Sequence, residues 1–180
     1  MPIDESRPFV AVNIAVLTVS DSRKLADDRS GRVLVDRIAE AGHVLADRAI
    51  VADDRGQIVA RLEGWIADPS VDVVIATGGT GVTARDVTPE AFAGLYDKEL
   101  AGFGELFRML SFEKIGTSTI QSRATAGVAR GTYLFALPGS PGACRDGWDD
   151  ILKWQLDNRF RPCNFVEILP RLREEPGRPA

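Results

Sequence analysis

With 180 residues, 26 acidic against 22 basic side chains, a formal net charge of −4 and a pI near 5.1, the chain reads as one acidic domain large enough for a three-layer core. That balance argues against a nucleic-acid surface, and the lack of a bilayer-length apolar run or a basic-plus-apolar leader predicts a soluble, cytoplasmic protein that does not enter a membrane. Cys144 and Cys163 form neither a disulfide framework nor a metal spacing, and the single histidine, His43, follows Gly42 at a strand start, where a structural role fits better than catalysis. Chemistry must then rest on carboxylates, hydroxyls, Arg and Lys, or a hard metal ion, because Ser-His-Asp, Cys-His and His-rich zinc sites are disfavoured.

Residues 1–8, with Pro2 and Pro8 among charged and small residues, read as a flexible lead-in. Residues 9–19 are almost continuously apolar, which predicts a central strand; it ends in Ser20-Asp21-Ser22-Arg23, and the charged stretch to Arg29 reads as a mobile loop. A helix is expected from Ser30-Gly31, with Leu34, Ile38 and Ala41 on one face and Gly42 at its end. The next strand, about 44–51, alternates more and belongs nearer an edge; it stops at Asp53-Asp54. A second helix turns Ile58, Leu62, Trp65 and Ile66 inward and ends at Asp68-Pro69. A strand over 71–77, with the β-branched run Val73-Val74-Ile75, completes a β-α-β-α-β series, which implies a parallel sheet with right-handed crossovers.

That strand runs directly into Gly78, Gly79 and Gly81, interleaved with Thr77, Thr80 and Thr83. A loop of this kind lets a ligand approach the main chain and turns N–H groups toward an anion, most often phosphate. Gly79 to Ala84 formally matches the dinucleotide pattern G-x-G-x-x-G/A, but no helix opens at the glycines and no acid ends the next strand, so the match is discounted. The next helix signal is Thr88-Pro89-Glu90, an N-cap, a proline and a first-turn acid, with Phe92, Leu95 and Tyr96 on one face. A further helix repeats Phe103, Leu106, Phe107 and Leu110, a stripe that reads as core or subunit interface. A hydroxyl-rich loop, 116–123, precedes a hairpin turn at Ala129-Arg130-Gly131 and a strand over 132–137. Pro138-Gly139-Ser140-Pro141 then opens the last helix, with Ser140 as N-cap and Cys144, Trp148, Ile151 and Leu152 inward, and forms a second anion site. The Pro-containing tail is taken as 170–180, leaving 9–169 as the domain.

In an open parallel sheet the loops after the strand C-termini share one edge, where ligands bind. Here those loops carry Ser20-Asp21, Asp53-Asp54, Thr77 to Asp86, and Gly139-Ser140. Two anion cradles beside several carboxylates call for a cation; Mg²⁺ held by one or two carboxylates and by substrate phosphates suits phosphoryl or nucleotidyl transfer. Each acid also has a plain reading: Asp21 as a turn residue, Asp54 as a partner for Arg55, Asp86 as a cap of the turn before Thr88. Arg85 either clamps a phosphate or points to water.

Thr77-Gly78-Gly79-Thr80-Gly81, Arg85-Asp86-Val87-Thr88-Pro89-Glu90 and Leu137-Pro138-Gly139-Ser140 together resemble the molybdopterin-binding domain of the MoaB/Mog family of molybdenum cofactor biosynthesis proteins, over residues 9–169. The stretches 102–108 and 117–123 are most similar to the bacterial B-type members. The resemblance implies a three-layer α/β/α sandwich with a mostly parallel sheet, assembled as homotrimers or homohexamers. It further implies Mg²⁺-ATP-dependent adenylylation of molybdopterin with release of pyrophosphate, in contact with other proteins of the pathway. By matching motifs, Asp53 and Asp86 correspond to the family's critical acids and the Gly78 to Gly81 loop and Gly139-Ser140 to its phosphate and pterin contacts. With the loop reading above, the candidate catalytic acids and Mg²⁺ ligands are Asp53 and Asp86, and the candidate substrate and phosphate contacts are Ser20, Asp21, Thr77, Gly78, Gly79, Thr80, Gly81, Arg85, Pro138, Gly139 and Ser140. This chain carries Ala52-Asp53-Asp54 where adenylylating relatives carry Pro-Asp-Glu. A non-catalytic pterin-binding or accessory role, or a different nucleotide-processing reaction as in proteins of the competence-damage type, is the alternative.

Overall fold

Runs of β-branched and aromatic residues at β1 (Asn13–Val19), β3 (Val73–Thr77) and β6 (Thr132–Leu137) form the centre of the sheet in a computed structural model that describes residues 3–173. Every residue of β3 and β6 is buried, as continuous apolar strands covered on both faces must be. The full order is β2-β1-β3-β6-β5-β4. β2 (Val44–Val51), β1, β3 and β6 run parallel, whereas β5 (Thr125–Ala129) and β4 (Lys98–Glu99) run antiparallel to their neighbours. β2 lies at the edge expected from its alternation.

The twofold period of the strands divides the core into two halves. Ile14, Val16, Val73, Ile75, Tyr133 and Phe135 face one side, against α1 (Arg29–Glu40), α4 (Ala101–Ile115) and the last long helix. Ala15, Leu17, Val74, Ala76, Leu134 and Ala136 face the other, against α2 (Arg55–Ile66) and α3 (Thr88–Ala93). Helices on both faces of a mostly parallel sheet make the expected three-layer α/β/α sandwich. The last helix starts as α5 (Pro141–Asp146), passes through a π-helical turn at Gly147–Leu152 and ends as α6 (Lys153–Gln155), burying Cys144, Trp148, Ile151 and Leu152 as predicted. Leu169–Leu172 forms a short α7. Among the described residues no helix is long and apolar enough to cross a membrane.

Several element boundaries differ from those read in the sequence. α1 begins at Arg29, one residue before Ser30, because the Asp28 carboxylate accepts from Gly31 N–H at 2.9 Å and caps the helix. Thr88 lies inside α3, with Val87 at the cap position; its hydroxyl donates to Gly78 O at 2.9 Å and so serves the preceding loop. α3 ends at Ala93, so Leu95 and Tyr96 pack from the segment beyond it. Residues 116–121, expected as loop, form a 3₁₀ turn. Ile3 bridges Phe160, Asp4 N–H donates to Arg159 O, and Asn158 bonds both Pro8 O and Val10 N–H, so the described part of the lead-in is tied to the C-terminal segment. Residues 174–180 of the expected tail lie outside the described residues, as do residues 1 and 2. The Arg130-Gly131 turn, with φ of 47° and 85°, joins β5 to β6 as a tight hairpin.

His43 is a core residue. Its Nδ1 accepts from Val12 N–H at 3.3 Å, its ring packs on Phe9 and Trp148, and burial pushes its pKa down, which keeps the imidazole neutral.

Asp28 ties the first loop to the sheet. Its fully buried carboxylate accepts from Thr18 Oγ1 at 2.7 Å and pairs with Arg48 of β2 at 2.9 Å. Burial opposes ionisation, but the bonds from Arg48, Thr18 and Gly31 outweigh it and hold the carboxyl below its usual range. A depressed carboxylate adds stability that is complete above its unfolded value of 3.8 and lost as pH falls through the lower folded value. Arg48→Met should therefore cost about 3 kcal/mol at neutral pH by urea unfolding, since it leaves a buried charge unpaired, and the difference should shrink once Asp28 is protonated.

Candidate functional site

Strand order reverses beside β1, which pairs with β2 on one side and β3 on the other, so the loops after β1 and β3 diverge at a switch point of the sheet. Gly78 adopts φ +105° with its N–H on Leu137 O at 3.1 Å, and a Cβ there would stand 2.2 Å from Val19 O. No side chain fits that seam, so the glycine is a requirement of geometry. The seam draws the ends of β1, β3 and β6 together. Thr77 closes it from within: its hydroxyl donates to Pro138 O at 2.9 Å and accepts from the Cys144 thiol at 3.1 Å. Burial pushes that thiol up to about 11, so it stays protonated.

Beyond the seam, Gly79, Thr80, Gly81 and Asp86 form one wall of a cavity of about 490 Å³, and Pro138, Gly139 and Ser140 form a second. Ser140 caps α5, its Oγ accepting from Ala143 N–H at 3.1 Å. Both walls are made by segments that the sequence reading named as candidate phosphate cradles. That reading assigned no site role to the third, which is Phe107, Ser111 and Ile115 of α4 with Ser118 and Thr119 of the 3₁₀ turn. The available signal was the hydroxyl run Thr117-Ser118-Thr119 directly after an amphipathic helix.

The carboxylates flank the glycines. A Cβ at Gly79 would lie 3.0 Å from Asp53 Oδ1, and one at Gly81 would lie 2.8 Å from Asp86 Oδ2. Asp86 accepts from both the hydroxyl and the N–H of Thr83, at 2.7 and 2.8 Å. The Thr83 hydroxyl bond is the largest reason its carboxyl titrates below the usual range, despite some burial. Asp53 behaves in the opposite way: burial, then repulsion from Asp21 and Asp86, raises its pKa. Asp21 Oδ1 accepts from Asp53 N–H at 3.1 Å and its other oxygen pairs with Arg85, which joins the first loop to the glycine loop. Asp54 caps α2 through Gln57 N–H at 2.9 Å. Ser20, Asp21, Asp53, Thr77, Gly78 and Arg85 thus stand behind or beside the cavity wall and do not line it.

Besides burial, Asp21 and then Asp86 raise the cost of ionising Asp53, a cost that a nearby cation would relieve. Among the described residues no three acidic, histidine or cysteine side chains gather to hold a metal on their own. A hard cation shared with substrate phosphates fits that donor set.

Fold and site together define an open α/β protein whose glycine-lined ligand cavity sits at the strand-end edge. The family model for the "probable molybdopterin binding domain" matches residues 15–158. The chain is 56% identical over 160 residues to molybdenum cofactor biosynthesis protein B of Escherichia coli K12, covering 89% of this chain and 94% of that protein. The corresponding protein of Bacillus subtilis 168 is 46% identical over 151 residues, covering 83% and 89%. A crystal structure of molybdenum cofactor biosynthesis protein B superimposes with a TM-score of 0.85 at 37% identity, covering 94% of this chain and all of that one. The tungsten cofactor synthesizing protein MoaB of Pyrococcus furiosus superimposes with 0.74 at 35% identity, covering 91% and 98%. The chain belongs to the MoaB/Mog family of molybdenum cofactor biosynthesis proteins.

An aspartate with a raised folded-state pKa destabilises the fold above that value and is neutral below its unfolded value of 3.8. Asp53→Asn should therefore raise the melting temperature at neutral pH and leave it unchanged below about pH 3.5, where native Asp53 is already protonated. Differential scanning calorimetry across that range checks both.

Proposed function

We propose that this chain binds molybdopterin through its domain at 9–169 and adenylylates it with Mg²⁺-ATP in the cytoplasm. The observation that carries the reading is the convergence, on one cavity, of the Gly79–Gly81 loop, Asp86 and the Gly139-Ser140 turn. In the reaction a terminal phosphate oxygen of molybdopterin attacks the α-phosphorus of ATP; the α–β phosphoanhydride bond breaks and pyrophosphate leaves with the bonding electrons. No covalent intermediate with the protein is needed, so the residues act by position and charge. Main-chain N–H groups of the glycine loop and the Ser140 turn hold phosphate oxygens, while Phe107 and Ile115 provide apolar wall for a flat ring. Asp53 and Asp86 would hold the Mg²⁺, whose contribution when bound is to neutralise charge on the phosphates. The Thr83 bonds favour the ionised form of Asp86, and a bound cation would offset the burial and the repulsion that disfavour the ionised form of Asp53.

Assembly as a homotrimer or homohexamer belongs to the same reading. Its contact surface is the outer side of α4 and the 3₁₀ turn, where Met109, Phe112 and Ile120 are 56–80% exposed. Exchange of the product with other proteins of the pathway completes it.

One observation favours the accessory role: Asp54, the second acid of the Asp53-Asp54 pair, caps α2 through one of its carboxylate oxygens. Pyrophosphate release separates the two readings. With molybdopterin, ATP and Mg²⁺ the chain should release pyrophosphate, and Asp86→Asn should lower kcat by about 100-fold or more, as loss of a preorganised charge at a phosphoryl-transfer site does. Unchanged turnover in the variant removes Asp86 from the chemistry.

A further inference from the structure

The cradle loop is gripped from behind by one side chain. Arg123 follows the 3₁₀ turn, and its Nε donates to Gly81 O at 2.7 Å while Nη2 donates to Asp86 O at 2.6 Å. Nη1 pairs with Glu90 of α3, and the backbone N–H of Arg123 donates to Thr80 O at 3.2 Å. Arg123 itself does not line the 490 Å³ cavity. It belongs to recesses on the other side of the loop, with Glu90.

We propose that Arg123 is the positioning residue of this site, fixing the loop from Thr80 to Asp86 so that its N–H groups and the Asp86 carboxylate face the ligand; the ligand named rests on the function proposed above. In a trans peptide the C=O and the following N–H point opposite ways. Holding Thr80 O and Gly81 O on the Arg123 side therefore turns the N–H groups of Gly81 and Val82 away from it, toward the cavity side. Holding Asp86 O fixes the backbone that carries the carboxylate. The root of the loop is secured separately, by Thr88 N–H on Gly79 O and Thr88 Oγ1 on Gly78 O. Within the loop, Asp86 bonds Thr83 through its carboxylate and its N–H, and its carboxylate also faces the Gly81 N–H. A segment rich in glycine has much backbone freedom to lose, and the clamp removes it before a ligand arrives. A planar guanidinium reaches two carbonyls and a carboxylate at once; an ammonium ion does not.

The test compares native protein with Arg123→Lys, which keeps the charge and the Glu90 pairing, and with Glu90→Gln, which removes only the ion pair. Amide hydrogen exchange is followed over 81–87, and Mg²⁺-ATP affinity is measured by calorimetry. Arg123→Lys should keep its melting temperature near native, yet speed exchange over 81–87 and weaken Mg²⁺-ATP, each by about tenfold or more, because two charge-assisted bonds are lost. Glu90→Gln should leave both readouts near native. In Arg123→Ala, guanidinium ion at sub-denaturing concentration should restore protection, whereas ammonium should not. Native exchange rates over 81–87 in a folded Arg123→Lys overturn the proposal, as does a loosened loop that binds Mg²⁺-ATP as tightly as before. If native protein binds no Mg²⁺-ATP, the proposed function fails, and the exchange and rescue measurements alone decide the clamp.

Discussion

The whole arrangement depends on one close approach: Gly78 passes so near Val19 O that its own missing Cβ is the space between β1 and β3. Because its N–H also bonds Leu137 O, three parallel strands end in register around a backbone without side chains. The loops that leave those ends are then forced to share one edge. The candidate site follows from that convergence, since the loop carrying the glycines and Asp86, the segment carrying Asp53, and the Ser140 turn come from three separate parts of the chain.

The surrounding hydrogen bonds serve that edge more than they serve individual helices. Thr88 gives up the capping role suggested by its place before Pro89 and bonds Gly78 O instead. Asp28 caps α1 and simultaneously anchors the first loop to Thr18 and Arg48. Thr77, Cys144 and Pro138 form a buried chain that locks the last strand to the last helix. Against this rigid base stands a group of carboxylates that repel each other, most plainly at Asp53. Such repulsion is a stability cost that a bound cation would offset.

Much of this was legible in the sequence where local physics decides the outcome. Continuous apolar runs at β1, β3 and β6 marked buried parallel strands, and Ser140-Pro141 marked a capped helix, because these depend on a residue and its near neighbours. The start of α1 was read one residue late, since the Asp28 cap that sets it is held in place by Thr18 and by Arg48, twenty residues away. The α4 and 3₁₀ wall of the cavity was also missed. Its Phe-Leu spacing describes a helix face, and only the tertiary fold says that Phe107 and Ser118 line one cavity with Gly79. Arg123 was invisible for the same reason: three of its bonds span 33 to 42 positions.

The central claim is that this edge joins two phosphate-bearing molecules. Its most direct test is the identity of what the protein holds after incubation with molybdopterin, ATP and Mg²⁺, read by native mass spectrometry. The account predicts molybdopterin heavier by one adenylyl group, formed only when Mg²⁺ is present. Saturable binding of unmodified molybdopterin under the same conditions would contradict it and leave the chain a carrier.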